Sequence, residues 1–325
     1  MTQIVVVGSI NLDLVSSVER IPVPGETLTG FDFRTFHGGK GANQAVAAAK
    51  LGYPVSMIGS VGDDQFGSEL KRGLRESGVN VKPVLTAQKS SSGVACILTD
   101  RAGQNSIVVV PGANGGLSPR DVKANATLLR SAGIILCQLE IPLETVECVA
   151  EIAQRFKVPL MLDPAPAREL SPSLLRSVTY LTPNETEAST LCGRRHGELT
   201  IGNVAEYAAE LMEQGPANVI IKMGRTGAFF LSRNGDSFFQ SGFVVAAVDS
   251  TAAGDAFNGG LAVALMRGKT LQDAAQYATA VAAMSVSRAG AQPSMPTHRE
   301  VAVFLKSARP SEPLSAGATV AALKA

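Results

Sequence analysis

The sequence predicts an α/β fold: a doubly wound, mostly parallel sheet with a small β-sheet lid. Three observations predict it. Short β-branched apolar runs recur along the chain. Stretches of helical length and pattern separate several of them. Two further pairs of strand-like runs are joined by turns with no helix between.

Ile4–Val7 is an uninterrupted apolar run ending in Gly8-Ser9, as expected of a strand buried on both faces. Val55–Ile58, Ile134–Leu136, Leu160–Leu162, Val219–Ile221 and Ala228–Leu231 repeat it. Helical patterns cover Ala42–Leu51, Phe66–Ser77, Leu143–Phe156 and Val204–Gln214, and this alternation predicts a doubly wound domain. The alanine-rich stretches Ala253–Met266 and Leu271–Ser287 read as two more helices. Leu12–Val18 and Thr27–Phe36 flank a Pro22-Val-Pro-Gly-Glu26 turn, and Val94–Thr99 and Ser106–Val110 flank Asp100-Arg-Ala-Gly103. Both read as hairpins. They form a separate lid layer or, in the alternative, extend the core sheet. The division expected is a core of residues 1–13, 38–91 and 111–309, a lid of 14–37 and 92–110, and a frayed or disordered tail, 310–325.

Composition narrows the function. The chain has 325 residues, 45% hydrophobic and 18% charged, enough for a large core. Its net charge of +1 gives no case for a nucleic-acid or anionic-membrane partner, which leaves a small molecule. No segment approaches the length of a membrane span, and the apolar start is too short and too little basic for a signal peptide. Cys96, Cys137, Cys148 and Cys192 are scattered, with three histidines, so a zinc site is not expected. Such cysteines suit a reducing cytoplasm.

Five stretches carry chemistry. Gly38-Gly-Lys-Gly-Ala-Asn-Gln44 precedes a helix, where glycines let backbone approach a ligand and free N–H groups face outward. It lacks the GxxxxGK[ST] spacing of a phosphate-binding P-loop. Asn11 and Asp13 follow the first strand, at the edge where open α/β sheets bind ligands. Together they suit vicinal hydroxyls, although turn chemistry alone also explains them. Small residues Ser250-Thr-Ala-Ala-Gly254 follow Val248-Asp249, the end of an expected strand, and Asp255 opens a long helix. That arrangement offers an anion hole and a base for phosphoryl transfer; the plainer reading is an acidic helix start. Thr182-Pro-Asn-Glu-Thr-Glu187 either presents carboxylates to a nucleotide's Mg²⁺ or simply caps a helix. Lys222-Met-Gly-Arg-Thr-Gly227 is a turn after a strand that can also accommodate a nucleotide.

In order along the chain, Gly8-Ser-Ile-Asn-Leu-Asp13, Gly38–Ala45, Asp163-Pro-Ala-Pro-Ala-Arg-Glu169, Thr182–Glu187 and Asp249–Gly260 resemble the PfkB-type carbohydrate kinase family, over nearly the whole chain. Within it they are most similar to members that phosphorylate D-ribose at O5. A sister kinase for 2-deoxyribose or another pentose is the runner-up, and a non-catalytic sugar sensor a third reading. The resemblance implies ATP, Mg²⁺ and a monovalent cation, K⁺, and a homodimer made through the lid. It assigns Asn11, Asp13, Gly39, Lys40, Gly41, Asn43 and Glu140 to the sugar. It assigns Asn184, Glu187, Lys222, Gly224, Arg225, Thr226, Gly227 and Thr279 to ATP, with Glu187 on the magnesium side. Ala252, Ala253 and Gly254 line the anion hole, and Asp255 is the base. Asp249, Thr251, Ser285, Arg288, Gly290 and Ser294 surround the potassium ion, with Arg288 and Gly290 contributing backbone carbonyls. The usual family loop reads Asp-Thr-Thr-Gly-Ala-Gly-Asp; here alanine replaces glycine at position 252.

Overall fold

A computed structural model describes residues 2–309; the expected tail, 310–325, lies outside the described residues. In chain order the strands are β1 (Gln3–Val7), β2 (Asn11–Ser17), β3 (Asp32–Gly38), β4 (Val55–Gly62), β5 (Val84–Ala87), β6 (Gly93–Thr99), β7 (Asn105–Val110), β8 (Ala132–Gln138), β9 (Leu160–Asp163), β10 (Tyr180–Leu181), β11 (Asn218–Lys222), β12 (Gly227–Ser232) and β13 (Ser237–Ser241). The helices are α1 (Lys40–Lys50), α2 (Gln65–Glu76), α3 (Pro119–Ala124), α4 (Ala126–Arg130), α5 (Leu143–Phe156), α6 (Pro172–Ser177), α7 (Glu185–Leu191), α8 (Val204–Glu213), α9 (Ala253–Met266), α10 (Leu271–Val286) and α11 (His298–Ser307).

Nine strands form the main sheet in the order β13-β12-β11-β10-β9-β8-β1-β4-β5. All neighbours are parallel except β11–β12 and β12–β13. The two-residue alternation of β1 serves two helix layers. Ile4 and Val6 join the core that holds Ala47 of α1, Leu261 of α9 and Val281 of α10. Val5 and Val7 join the core that holds Val149 of α5 and Leu211 of α8. Each such side chain, fully buried, contributes roughly 1.5–3 kcal/mol. The chain winds outward from β1 through β4 and β5, then returns to place β8 on the other side of β1. This reversal opens a crevice beyond the carboxyl ends of β1 and β8, where open α/β sheets bind ligands.

The two hairpins do not extend the core sheet. They pair into a separate four-stranded sheet, order β3-β2-β6-β7, through a parallel β2–β6 contact. Two boundaries differ from expectation. β2 begins at Asn11, so Asn11 and Asp13 sit in this small sheet. β3 begins at Asp32, because Thr27–Phe31 is taken up by a loop whose Phe31 N–H donates to Ser17 O at 2.9 Å. Val248-Asp249 is not the end of a strand: both N–H groups donate to Val286 O, at 2.7 and 3.1 Å, which pins a loop to the end of α10.

Candidate active site

Three chain segments meet beyond β1. Gly41, in the first turn of α1, packs against Gly8; a Cβ on it would lie 2.7 Å from the Gly8 carbonyl carbon. Gly39, at φ 85, caps α1 in the left-handed region, and a Cβ on it would lie 2.7 Å from Asn11 N. These contacts explain Gly39 and Gly41 of the 38–44 motif and bring α1 to the crevice.

Asp255 lies buried in the first turn of α9. Its two oxygens have separate donors: Asn43 Nδ2 reaches Oδ2 at 3.0 Å and Gln44 Nε2 reaches Oδ1 at 3.1 Å. Burial pushes its carboxyl up to about 6, against the opposing pull of Lys40. Burial also opposes the Lys40 charge, but Asp255, Asp163, Glu140 and Glu187 outweigh it and hold the ammonium above its ordinary range. No side chain caps α9. The Ala253 N–H is spent on Ser250 O at 3.2 Å, which leaves those of Gly254 and Asp255 facing the crevice. Lys222 stands beside them, its Nζ 3.3 Å from where a Cβ on Gly254 would be. The same Nζ pairs with buried Asp163 at 2.9 Å. Ala252 takes φ 60, a left-handed conformation at the position where the family usually carries glycine.

On the other side of the crevice, Asn114 fixes Asn11. Its amide bonds Ile10 N and Ile10 O, and its Nδ2 donates to Asn11 Oδ1 at 2.7 Å. Asn11 therefore turns its own Nδ2, a donor, outward. No protein donor reaches Asp13 among the described residues, and its carboxyl is raised to about 7 by burial and by the neighbouring Glu140 and Asp255 charges. Glu140 Oε2 accepts from Ser9 Oγ at 2.5 Å and from Lys40 N at 3.0 Å. A donor at Asn11, an acceptor at Asp13 and a buried carboxyl at Asp255 form a lining suited to a polyol.

The remaining expected residues fall in two groups. Asn184 caps α7, and Glu187 returns both oxygens to it, at 2.8 Å on N and 2.9 Å on Nδ2. Burial raises the Glu187 carboxyl, opposed by Lys222. A bridge between Asn184 and Lys222 joins this cap to the end of β11. Gly224, exposed Arg225 and Thr226 form a single 3₁₀ turn before Gly227, with the Thr226 hydroxyl donating to Met223 O at 2.6 Å. The Thr279 hydroxyl is buried and spent on Ala275 O at 2.8 Å. Farther along, Asp249 accepts from Thr251 N at 2.9 Å and Gly290 N at 2.8 Å, bonds that keep it ionised against burial. The Ser285 and Ser294 hydroxyls bond carbonyls within their own segments, and the Arg288 guanidinium pairs with Glu300 at 2.7 Å.

The pfkB family carbohydrate kinase profile matches residues 1–298. The chain belongs to the pfkB family of carbohydrate kinases. The ribokinase of Schizosaccharomyces pombe is 42% identical over 308 residues, covering 93% of this chain and 97% of that one. The deoxyribokinase of Salmonella typhi is 38% identical over 303 residues, covering 93% and 98%. A solved structure of Arabidopsis thaliana ribokinase complexed with ribose and ATP superposes with a TM-score of 0.89 at 34% identity, over 94% of this chain and 99% of that one.

For a pfkB kinase, the crevice holds residues that the sequence reading passed over. Gln44, Gln138, Asp163 and Asn114 are all buried: Gln44 bonds Asp255, Asp163 bonds Lys222, Asn114 bonds Asn11, and Gln138 bonds Gln44. Gln44 had a legible signal: it is a polar residue in the helical run Ala42–Ala49, which is otherwise alanine and valine apart from Asn43. Asn114, in a Gly112–Gly116 turn, reads locally as turn chemistry and gave none.

Proposed function

We propose that this chain transfers the γ-phosphoryl group of ATP to O5 of D-ribose, yielding D-ribose 5-phosphate and ADP. The observation that carries the reaction type is the buried, raised Asp255 carboxylate at an uncapped helix N-terminus beside Lys222. Ribose sits with its hydroxyls on Asn11 and Asp13, supported by the Gly39–Asn43 segment and Glu140. Asp255 takes the proton of the attacking O5 hydroxyl as the bond to phosphorus forms. The N–H groups of Gly254 and Asp255, with Lys222, meet the charge that develops on the transferred group. A carboxyl raised to about 6 remains ionised at neutral pH, yet is basic enough to accept that proton.

ATP occupies the Asn184, Lys222–Gly227 and Thr279 side. Magnesium, when bound with the nucleotide, neutralises phosphate charge. Glu187, with both oxygens already accepting from Asn184, would support that ion from its outer hydration layer. The oxygen-rich Asp249–Thr251 and Ser285–Ser294 segments fit a hard monovalent cation such as potassium: they supply one carboxylate, hydroxyls and backbone carbonyls, and the Arg288 guanidinium is turned away to Glu300. The exposed apolar residues of the small sheet, Phe33 and Ile107–Val110, with Phe31 in the adjoining loop, support a homodimer formed across the lids. Four free cysteines support a reducing cytoplasm.

The 38% identity to a deoxyribokinase makes 2-deoxyribose the second reading. Asn11 and Asp13 favour ribose, because a missing hydroxyl leaves a buried polar group unpaired at about 1–3 kcal/mol. ADP release measured over ribose and 2-deoxyribose, in sodium and in potassium, tests this. The expectation is ribose preferred by about 5- to 150-fold in kcat/KM, with higher turnover in potassium. A preference for 2-deoxyribose overturns the substrate, and equal rates in both salts overturn the cation site.

A further inference from the structure

Gln44 occupies an unusual position. Its Nε2 donates one proton to Asp255 Oδ1 at 3.1 Å and the other to Asp163 Oδ2 at 3.0 Å. Its Oε1 accepts from Gln138 Nε2 at 2.7 Å. That third bond forbids the flipped amide, which would aim an oxygen at two carboxylates and a nitrogen at a donor. Asp163 in turn holds Lys222 through its other oxygen at 2.9 Å. All of Gln44, Gln138, Asp163 and Asp255 are buried. The Gln138 Oε1 has no partner, and it occupies the space that a Cβ on Gly8 would fill, within 2.0 Å. Such an orphan is tolerated in a buried site when the donor end of the same amide is needed elsewhere.

We propose that Gln44, locked by Gln138, is a positioning residue that ties the base Asp255 to the Asp163–Lys222 pair as one rigid unit. This rests on the reading of Asp255 as base. The bridge sets the plane of the Asp255 carboxylate and keeps its lone pairs toward the sugar. It also keeps that carboxylate in register with Lys222, which stands where the transferred group arrives. A neutral amide suits this place better than a cation. Lysine or arginine would form an ion pair with Asp255 and strip it of basicity, whereas an amide supplies two directional bonds without charge. The charged groups gathered around the base are Asp13 on β2, Lys40 on α1, Glu140 after β8, Asp163 on β9, Glu187 on α7 and Lys222 at the end of β11. Four of these six are acidic besides Asp255 itself, so removal of a donor leaves the base easier to protonate.

The test is Gln44→Met, which keeps the volume and removes both donors, with Gln138→Met alongside, which touches neither carboxylate but frees the Gln44 amide. Gln44→Met is expected to lower kcat by at least about tenfold, with KM for ribose and ATP within about threefold, and to move the acid limb of the kcat–pH profile upward by about one pH unit. Gln138→Met moves the limb in the same direction by less. Folding is checked by thermal unfolding of each variant. If Gln44→Met does not fold, Gln138→Met decides alone. A folded variant whose acid limb stays at the wild-type pH shows Gln44 to be packing only and overturns the proposal. Asp255→Asn, run in parallel, separates the two failures. If it keeps near-native turnover, the base assignment falls; if it is inactive while the Gln44→Met profile is unmoved, only the bridge falls.

Discussion

The pocket around Asp255 and the four-stranded sheet that faces it are built on opposite principles. In the pocket each side chain restrains another from a distant part of the chain. Asn43 and Gln44 from α1 hold Asp255 on α9, Gln138 from β8 holds Gln44, and Lys222 from β11 holds Asp163 on β9. In the small sheet Asp13 has no donor, and every residue of β7 is exposed. Side-chain hydrogen bonds from this sheet to the core, among the described residues, are few: Asn114 on Asn11, and a 3.1 Å contact between His37 and Glu69 of α2, beside the apolar packing of Leu12. The carboxylate proposed as base is thus held before any substrate arrives, as efficient charge stabilisation requires. On the proposed reading, the sugar completes the open acceptor at Asp13 on this sheet, and a second copy covers its exposed apolar face.

The largest expected effect lies on the finished side. Asp255→Asn removes the proton acceptor and is expected to lower kcat by about 10²–10⁴-fold. Ribose binding, measured by calorimetry, stays within a few-fold because Asn11 and Asp13 are untouched. In the wild type, turnover falls as pH drops through about 6, where Asp255 takes up its proton. A turnover unchanged from pH 8 to pH 5 would exclude it as the base.

Next in size is a change on the unfinished side. Asp13→Asn is expected to raise KM for ribose by about 10–100-fold, the loss of hydrogen bonds to a charged acceptor. It should also stabilise the free protein. The folded carboxyl is raised to about 7, above its unfolded value of 3.8, so the ionised form is disfavoured by folding. The variant's advantage in Tm is therefore largest above pH 7, shrinks as pH falls, and vanishes below about pH 4, where both states of the wild type hold the proton. Wild-type ribose affinity weakens over the upper part of the same window. A Tm lower than wild type at pH 8 would show that a protein donor holds this carboxylate after all.

This contrast also decides what the sequence could reveal. The main sheet was legible because burial on both faces forces unbroken runs such as Ile4–Val7, and α9 because alanines pack closely against α10. The place of Asp255 was legible because Ala-Ala-Gly-Asp after a turn marks a helix start, and the structure has it in the first turn of α9. What was not legible is pairing across the chain. Asn43 and Gln44 lie more than 200 residues from Asp255, and nothing local distinguishes Gln138 or Asn114 from ordinary polar residues at strand ends and turns. Thr27–Phe31 reads as strand beside its turn, yet it forms a loop that the bond from Phe31 to Ser17 ties down, and a bond to a residue 14 positions away leaves no local sign. Short elements such as β10, two residues long, have no periodicity to read.

A smaller effect tests the outer face of the lid. Val108, 61% exposed on the edge strand β7, is expected to lie at the dimer contact. Val108→Arg should convert the dimer to a monomer in light scattering, while each folded chain changes in stability by no more than about 0.5 kcal/mol. A variant that remains dimeric moves the contact elsewhere.

The smallest effect returns to the finished side, at its one strained point. Ala252 holds φ 60 and ψ 16 immediately before the first turn of α9. A Cβ in the left-handed region costs roughly 1–2 kcal/mol, and glycine removes that cost while adding about 0.4–1 kcal/mol of unfolded-chain entropy to be lost. The two nearly cancel, with the balance toward glycine, so Ala252→Gly should raise Tm by up to about 2 °C. Turnover should stay near wild type, because the N–H groups of Gly254 and Asp255 keep their directions. A lowered Tm with lowered turnover would mean that the methyl group, by stiffening the loop, helps to aim the helix terminus. In that case the strain belongs to the same preorganisation that holds the base.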